Sequence, residues 1–95
     1  MPYVRVSINK PTRGNEARLE ELMRKLEAVI RDQPGCIASY LLKPHDDSGE
    51  IARIAIYENE HVGESAANNQ NVMAIRSEIH LVSEPGHVER AFFSL

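Results

Sequence analysis

The chain has no tryptophan and only one cysteine, Cys36. A lone cysteine excludes an internal disulfide and suits a reducing compartment. No apolar run approaches the ~20 residues of a membrane helix, and the opening residues MPYVRVSINK lack the apolar core of a signal peptide. No membrane association and a cytoplasmic location are therefore expected. A basic surplus is also missing: 11 Lys and Arg face 14 Asp and Glu, for a formal charge of −3. Nothing in that balance attracts nucleic acid or an anionic membrane surface. Low-complexity segments and long linkers are absent too, so the 95 residues read as one domain, 1–95.

What is present is a change of hydrophobic period along the chain. Residues 3–9, YVRVSIN, alternate Val4, Val6 and Ile8 with Tyr3, Arg5, Ser7 and Asn9, which predicts a strand. From Asn15 the spacing becomes three and four: Leu19, Leu22, Met23, Leu26, Val29 and Ile30 mark one face of a helix. Asn15 is expected to cap it, with Glu20–Arg24 and Glu21–Lys25 pairs on the exposed side. QPG at 33–35 stops the helix, because proline disfavours helical geometry before it and glycine tolerates the turn. Strands follow over 36–43 and 51–58, joined through KPHDDSGE. Asn59 is placed to cap a helical region reaching Val82, with a possible break at NNQN, 68–71, and the last strand is Val88–Leu95. The order β-α-β-β-α-β is the α+β, ferredoxin-like arrangement: a four-stranded antiparallel sheet with both helices on one face.

Such a sheet leaves its second face to water or to a partner. One register reads Val4, Val6, Ile8, Ile37, Leu41, Ile54, Ile56, Phe93 and Leu95. The other reads Tyr3, Arg5, Ser7, Asn9, Tyr40, Arg53, Tyr57 and Arg90, with Cys36, Leu42 and Phe92. Neither is a comfortable solvent face, so a homodimer burying one face of each sheet is expected over a monomer. Sequence leaves open which register meets the partner. An RNA-binding sheet is excluded, since IARIAIYENE carries one aromatic and no basic-glycine-aromatic run.

Three segments, INKPTRGNEARLEELMRKL, QPGCIASYLLKPHDDSGEIARIAIYENE and EPGHVERAFFSL, resemble in order and spacing the antibiotic biosynthesis monooxygenase (ABM) domain of the dimeric α/β-barrel superfamily. The resemblance implies two protomers packed sheet to sheet into a barrel, each with a pocket between its helices and its own sheet. It implies activities such as cofactor-free oxidation of quinols and anthrone-like aromatics, haem degradation, or isomerisation of small molecules. Haem-degrading members use a strand asparagine, a tryptophan and a histidine. Here Ser7 takes the first position, tryptophan is absent, and Arg76 and His80 lie near the third. Many quinol-oxidising members carry a tryptophan at the end of the third strand and a histidine in the following helix. Here Tyr57 stands at the first position, and ESAANNQNV has no histidine.

The expected function is a cofactor-independent monooxygenase acting on a small aromatic or quinol-type ligand. The alternatives are a non-catalytic ligand-binding or stress-response dimer on the same scaffold and, third, an isomerase of a sugar-like phosphate. Tyr57, Arg53 and His80 are the candidate catalytic residues: a phenol to hold a substrate oxygen, a cation to stabilise its anion, and a proton acceptor working near neutral pH. Ser7, Tyr40 and Arg76 are the candidate substrate-binding residues. The structural alternative has Arg53 and Arg5 paired with Glu58 or Glu89, Tyr57 filling space, and His80 half-buried. Cys36 reads as packing, because the preceding helix offers it a C-terminus, the wrong sign to activate a thiolate. His45, His61 and His87 read as turn or surface residues. No metal and no organic cofactor are expected.

Overall fold

A computed structural model describes residues 1–95. The first alternating run forms β1, Tyr3–Asn9, and the three-and-four stripe forms α1, Glu16–Arg31. Along α1, Leu19, Leu22, Met23, Leu26 and Ile30 are buried, as the spacing requires. Asn15 does not cap it: its Nδ2 donates to Thr12 Oγ1 at 2.8 Å, which secures the preceding turn instead. On the exposed side Arg24 pairs with Glu20 at 3.1 Å, while Glu21 is taken by Arg18 at 2.7 Å rather than by Lys25. The helix ends at the expected stop, where Gly35 adopts φ 81°. That backbone region favours glycine.

β2, Cys36–Leu42, and β3, Ile51–Tyr57, follow. The second helical region is two helices, α2 at Glu60–Ala67 and α3 at Gln70–Val82. Asn59 caps α2 by accepting from the Val62 amide at 2.9 Å. The break falls inside the asparagine run: Asn68 donates back to the Glu64 carbonyl, and Asn69 Oδ1 accepts from the Asn71 and Val72 amides. Asparagine competes for backbone partners in this way, so one residue closes α2 and the next opens α3. The last strand is β4, Val88–Phe93.

The strands pair antiparallel in the order β2-β3-β1-β4, giving the ferredoxin-like α+β fold. β1 and β3 are central, and their polar-aromatic register is the one that faces the helices. Tyr3, Ser7, Asn9, Arg53, Ala55 and Tyr57 are all buried there with the α1 stripe, Val72 and Ile79. Val4, Val6, Ile8, Ile54 and Ile56 lie half-exposed on the open face. The structure thus turns the more polar set inward.

On the edge strands the two registers differ from the sequence expectation. A β-bulge between Cys36 and Ala38 changes the phase of β2. Cys36 opposes Tyr57 on the helix side, but Tyr40 opposes Ile54 and Leu42 opposes Ala52 on the open face, while Leu41 turns inward beside Arg53. A bulge sets two residues against one, so simple alternation fails beyond it. In β4, Tyr3↔Phe93 and Val6↔Arg90 fix the phase. Phe93 therefore lies inward against the Tyr3 ring, at 5.4 Å between centroids, and Arg90 and Phe92 lie outward.

Two close contacts hold the helices over the site. The amide of Thr12 donates to the Val82 carbonyl and that of Glu84 to the Lys10 carbonyl, each at 2.8 Å, tying the end of α3 to the chain leaving β1. At Gly63, α2 approaches the sheet so closely that a Cβ would stand 2.5 Å from Tyr3 Cδ2 and 3.1 Å from Tyr57 Cδ2.

Candidate functional site

Arg53 sits at the centre of β3, opposite Ser7 on β1 and Leu41 on β2, with its side chain under the helices. It is only 6% exposed, and its Nε and Nη1 have no hydrogen-bond partner within the protein. A buried guanidinium is costly without acceptors. Burial pushes its pKa down, the Tyr57 phenol four residues along the strand pushes it back up, and the Arg76 and Arg5 charges add to the depression. Guanidinium nonetheless remains a cation at physiological pH. Tyr57 itself is held above the usual phenol range by burial, against an opposing pull from Arg53. It is a neutral phenol beside a cation.

The other charges are satisfied. Glu89 on β4 opposes Ser7, and its Oε1 accepts from Arg5 Nη2 at 2.9 Å and also from Arg76 Nη2. Its Oε2 lies 3.7 Å from His87 Nε2. Burial alone would raise the Glu89 pKa, but the Arg76 and Arg5 guanidiniums, with His87, carry it below the usual carboxylate value. Arg5 Nη1 also reaches Glu64 Oε1 at 3.4 Å, which accepts from the Tyr3 hydroxyl at 2.7 Å. The structural alternative, in which Arg5 and Arg53 pair with Glu58 or Glu89, holds for Arg5, which pairs with Glu89, and fails for Arg53, whose Nε and Nη1 meet neither.

Arg53, Ser7, Asn9, Glu89, Arg76, His80 and His87 surround a cavity closed by Leu26 of α1 and Ile79 of α3. Its volume is about 20 Å³, room for roughly one water. Arg76 and His80 also line a larger outer groove, about 240 Å³, with Ala67, Asn68, Met73 and Ser77. They therefore stand between the inner cavity and the outside. The His80 and His87 rings lie 4.8 Å apart, tilted by 34°.

Of the residues singled out by sequence, Arg53, Ser7, Arg76 and His80 meet at this cavity. Tyr57 is buried behind it, next to Arg53. Tyr40 is 54% exposed on the open face, so the structure does not bring it to the cavity. Cys36 packs against the core, and burial raises its thiol pKa, the opposite of activation. Sequence reasoning did not select Glu89, His87 or Asn9 as site residues. Glu89 was within reach, because antiparallel pairing of β1 with β4 sets one carboxylate opposite Ser7. His87 follows a Pro-Gly turn and carried no signal of its own. No group of three or more His, Cys, Asp and Glu side chains is arranged to hold a metal ion.

Solved structures share the whole architecture. The cofactor-independent oxygenase SnoaB from Streptomyces nogalater superimposes with a TM-score of 0.85 at 17% identity, over 99% of this chain and 93% of its own. The Mycobacterium tuberculosis protein Rv0793 gives 0.91 at 15% identity, over 100% and 96%. The Pseudomonas aeruginosa protein PA3566 gives 0.86 at 18% identity, over 99% and 94%. At such identities the likeness establishes the fold. No curated protein matches the sequence. The sequence profile described as antibiotic biosynthesis monooxygenase matches residues 1–78, most of the chain, and the protein belongs to that family.

Proposed function

We propose that the chain is a cofactor-independent monooxygenase acting on a small aromatic or quinol-type substrate, and that it works as a homodimer in the reducing interior of the cell. The observation that carries this is the buried Arg53 guanidinium, whose Nε and Nη1 have no hydrogen-bond partner, in the lining of a cavity that His80 also lines. His80 accepts the proton of a phenol or of an activated C–H group. Arg53 stabilises the resulting oxyanion, in surroundings where a fixed cation acts far more strongly than in water. Tyr57, behind Arg53, positions the guanidinium rather than touching the substrate.

The electron-rich anion then supplies the electrons to O2. One oxygen atom enters the substrate as a new carbonyl and the other leaves as water, whose two hydrogens come from the oxidised CH2 of an anthrone-type substrate, or from the ring C–H and the hydroxyl groups of a quinol. The role of the protein is to make the anion available at neutral pH.

Self-association rests on the open face. Val4, Val6, Ile8, Ile54 and Ile56 form an apolar strip there, and Tyr40, Leu42 and Phe92 beside it are about half exposed. A continuous apolar sheet face of this kind favours a second copy over water.

Oxygen uptake by metal-stripped protein over a panel of reduced quinones and anthrones tests the activity. Uptake above autoxidation that falls about a hundredfold or more in Arg53→Met, the loss typical of removing one oxyanion-stabilising donor, supports it. Saturable binding of the same compounds with no uptake would replace this reading with that of a ligand-binding dimer.

A further inference from the structure

The charges around the inner cavity do not balance. Arg5, Arg53 and Arg76 bring three positive charges, whereas the carboxylates on them are Glu89 and Glu64. Three minus two leaves one positive charge, and the geometry says where it resides. Glu89 is shared by Arg5 and Arg76, Glu64 takes the remaining reach of Arg5, and Arg53 is left with Nε and Nη1 donors facing no acceptor. That side chain is 6% exposed and lines the cavity, so bulk solvent does not satisfy it either.

We propose that this cavity is a binding site for one singly charged oxyanion, the carboxylate or phenolate of a planar aromatic compound, and that Glu89 limits the charge it accepts. This deepens the proposed function and rests on the same site. The cavity, about 20 Å³, has room for roughly one water, so a single oxygen atom of the head group enters it and no ring does. The ring lies outside Arg76 and His80, in the groove between Ala67 and Met73, whose volume is about 240 Å³. A monoanion on Arg53 neutralises the surplus. A second negative charge on the ligand would face the Glu89 carboxylate, which Arg5 and Arg76 hold ionised and which is only partly exposed to solvent. The site therefore discriminates against phosphate monoesters in their dianionic form.

Calorimetric titration with benzoate, benzamide and phenyl phosphate tests this without any turnover, so it succeeds or fails independently of oxygen uptake. At pH 8 benzoate should bind about tenfold or more tighter than benzamide, its neutral counterpart, and tighter than phenyl phosphate by a similar factor. Arg53→Met should erase the preference for benzoate over benzamide. Glu89→Gln, which adds one positive charge to the balance, should raise phenyl phosphate affinity about tenfold relative to benzoate. Should that variant fail to fold, the wild-type protein gives the same answer. Phenyl phosphate becomes a monoanion below its second pKa of about 6, so its affinity relative to benzoate should rise between pH 8 and pH 5. Benzoate stays a monoanion over this range and serves as the reference, and the same ratio measured in a His80→Gln, His87→Gln double variant separates the charge change of the ligand from that of the two rings lining the cavity. Equal binding of benzoate and benzamide, preference for benzoate retained in Arg53→Met, or dianionic phenyl phosphate binding tighter than benzoate would each overturn the proposal.

Discussion

Glu89 Oε1 accepts a hydrogen bond from Arg5 Nη2 at 2.9 Å across the β1–β4 pair, and the same oxygen accepts from Arg76 of α3. One carboxylate thereby ties a central strand, an edge strand and a helix together. It also consumes two of the guanidiniums in the site and leaves Arg53 the odd one. Four consequences for stability and assembly can be measured.

Arg53→Met should make the protein more stable, by about 1–3 kcal/mol in urea denaturation. Methionine fills a similar volume and removes a buried cation whose donors lack partners. If Arg53 were a structural ion-pair residue, the same substitution would destabilise. A gain in stability with a loss of ligand binding is the signature of a residue retained for function.

Glu89 makes stability depend on acid. Its folded pKa lies below the ordinary 4.5, so its contribution is fully present above that value and is lost as pH falls through the lower folded value. Denaturation midpoints measured from pH 7 to pH 3 should therefore fall more steeply in the wild-type protein than in Glu89→Gln. At pH 7 the variant should be about 1.5–3 kcal/mol less stable, the range for hydrogen bonds to charged groups. Parallel pH profiles would assign the acid sensitivity to other carboxylates.

Gly63→Ala should destabilise by about 1–3 kcal/mol, the usual cost of overpacking. Alanine is the better helix former by about 1 kcal/mol. Here, however, its Cβ would lie 2.5 Å from the Tyr3 ring, which is wedged between α2 and Phe93. The thermal midpoint of the variant decides which effect wins. A rise would mean that α2 lifts off the sheet at little cost.

Ile54→Lys should convert a dimer to a monomer without unfolding it, because Ile54 is half-exposed at the centre of the open face. Small-angle scattering should give the wild type a radius of gyration clearly above the 12.9 Å of the single chain's Cα trace, and the variant a value near it. Identical sizes for the two would remove the open face as the interface.

The element order was legible in the sequence, because the switch from period two to period three-and-four is dictated by burial on one face. The break at Asn68–Asn69 was legible because NNQN is a run of poor helix formers, and the capping by the two asparagines emerges only in the structure. Register was legible only in part. In β1 and β3 alternation separates the two faces correctly, although hydrophobicity alone would bury Val4, Val6 and Ile8 under the helices rather than Tyr3, Ser7 and Asn9. The bulge after Cys36 moved Tyr40 out of the site, and nothing in CIASYLL marks it. In β4 each face mixes polar and apolar residues, so only the pairing Tyr3↔Phe93 sets the phase. Glu89 and His87 reach the site through that pairing. Ser7 and Arg53 were named from sequence because they share a register with Tyr57, and Arg76 and His80 because they flank the apolar stripe of the second helical region; all four line the cavity.

The central claim is that Arg53 stabilises a bound oxyanion, and an anaerobic optical titration tests it most directly. A chromophoric phenol or quinol is bound to the protein with oxygen excluded, and its ionisation is followed by absorbance from pH 5 to pH 10. The bound phenol should ionise at least about one pH unit below the free compound, a tenfold shift in its favour, and this shift should vanish in Arg53→Met. A bound phenol that ionises at or above its free value would contradict the claim.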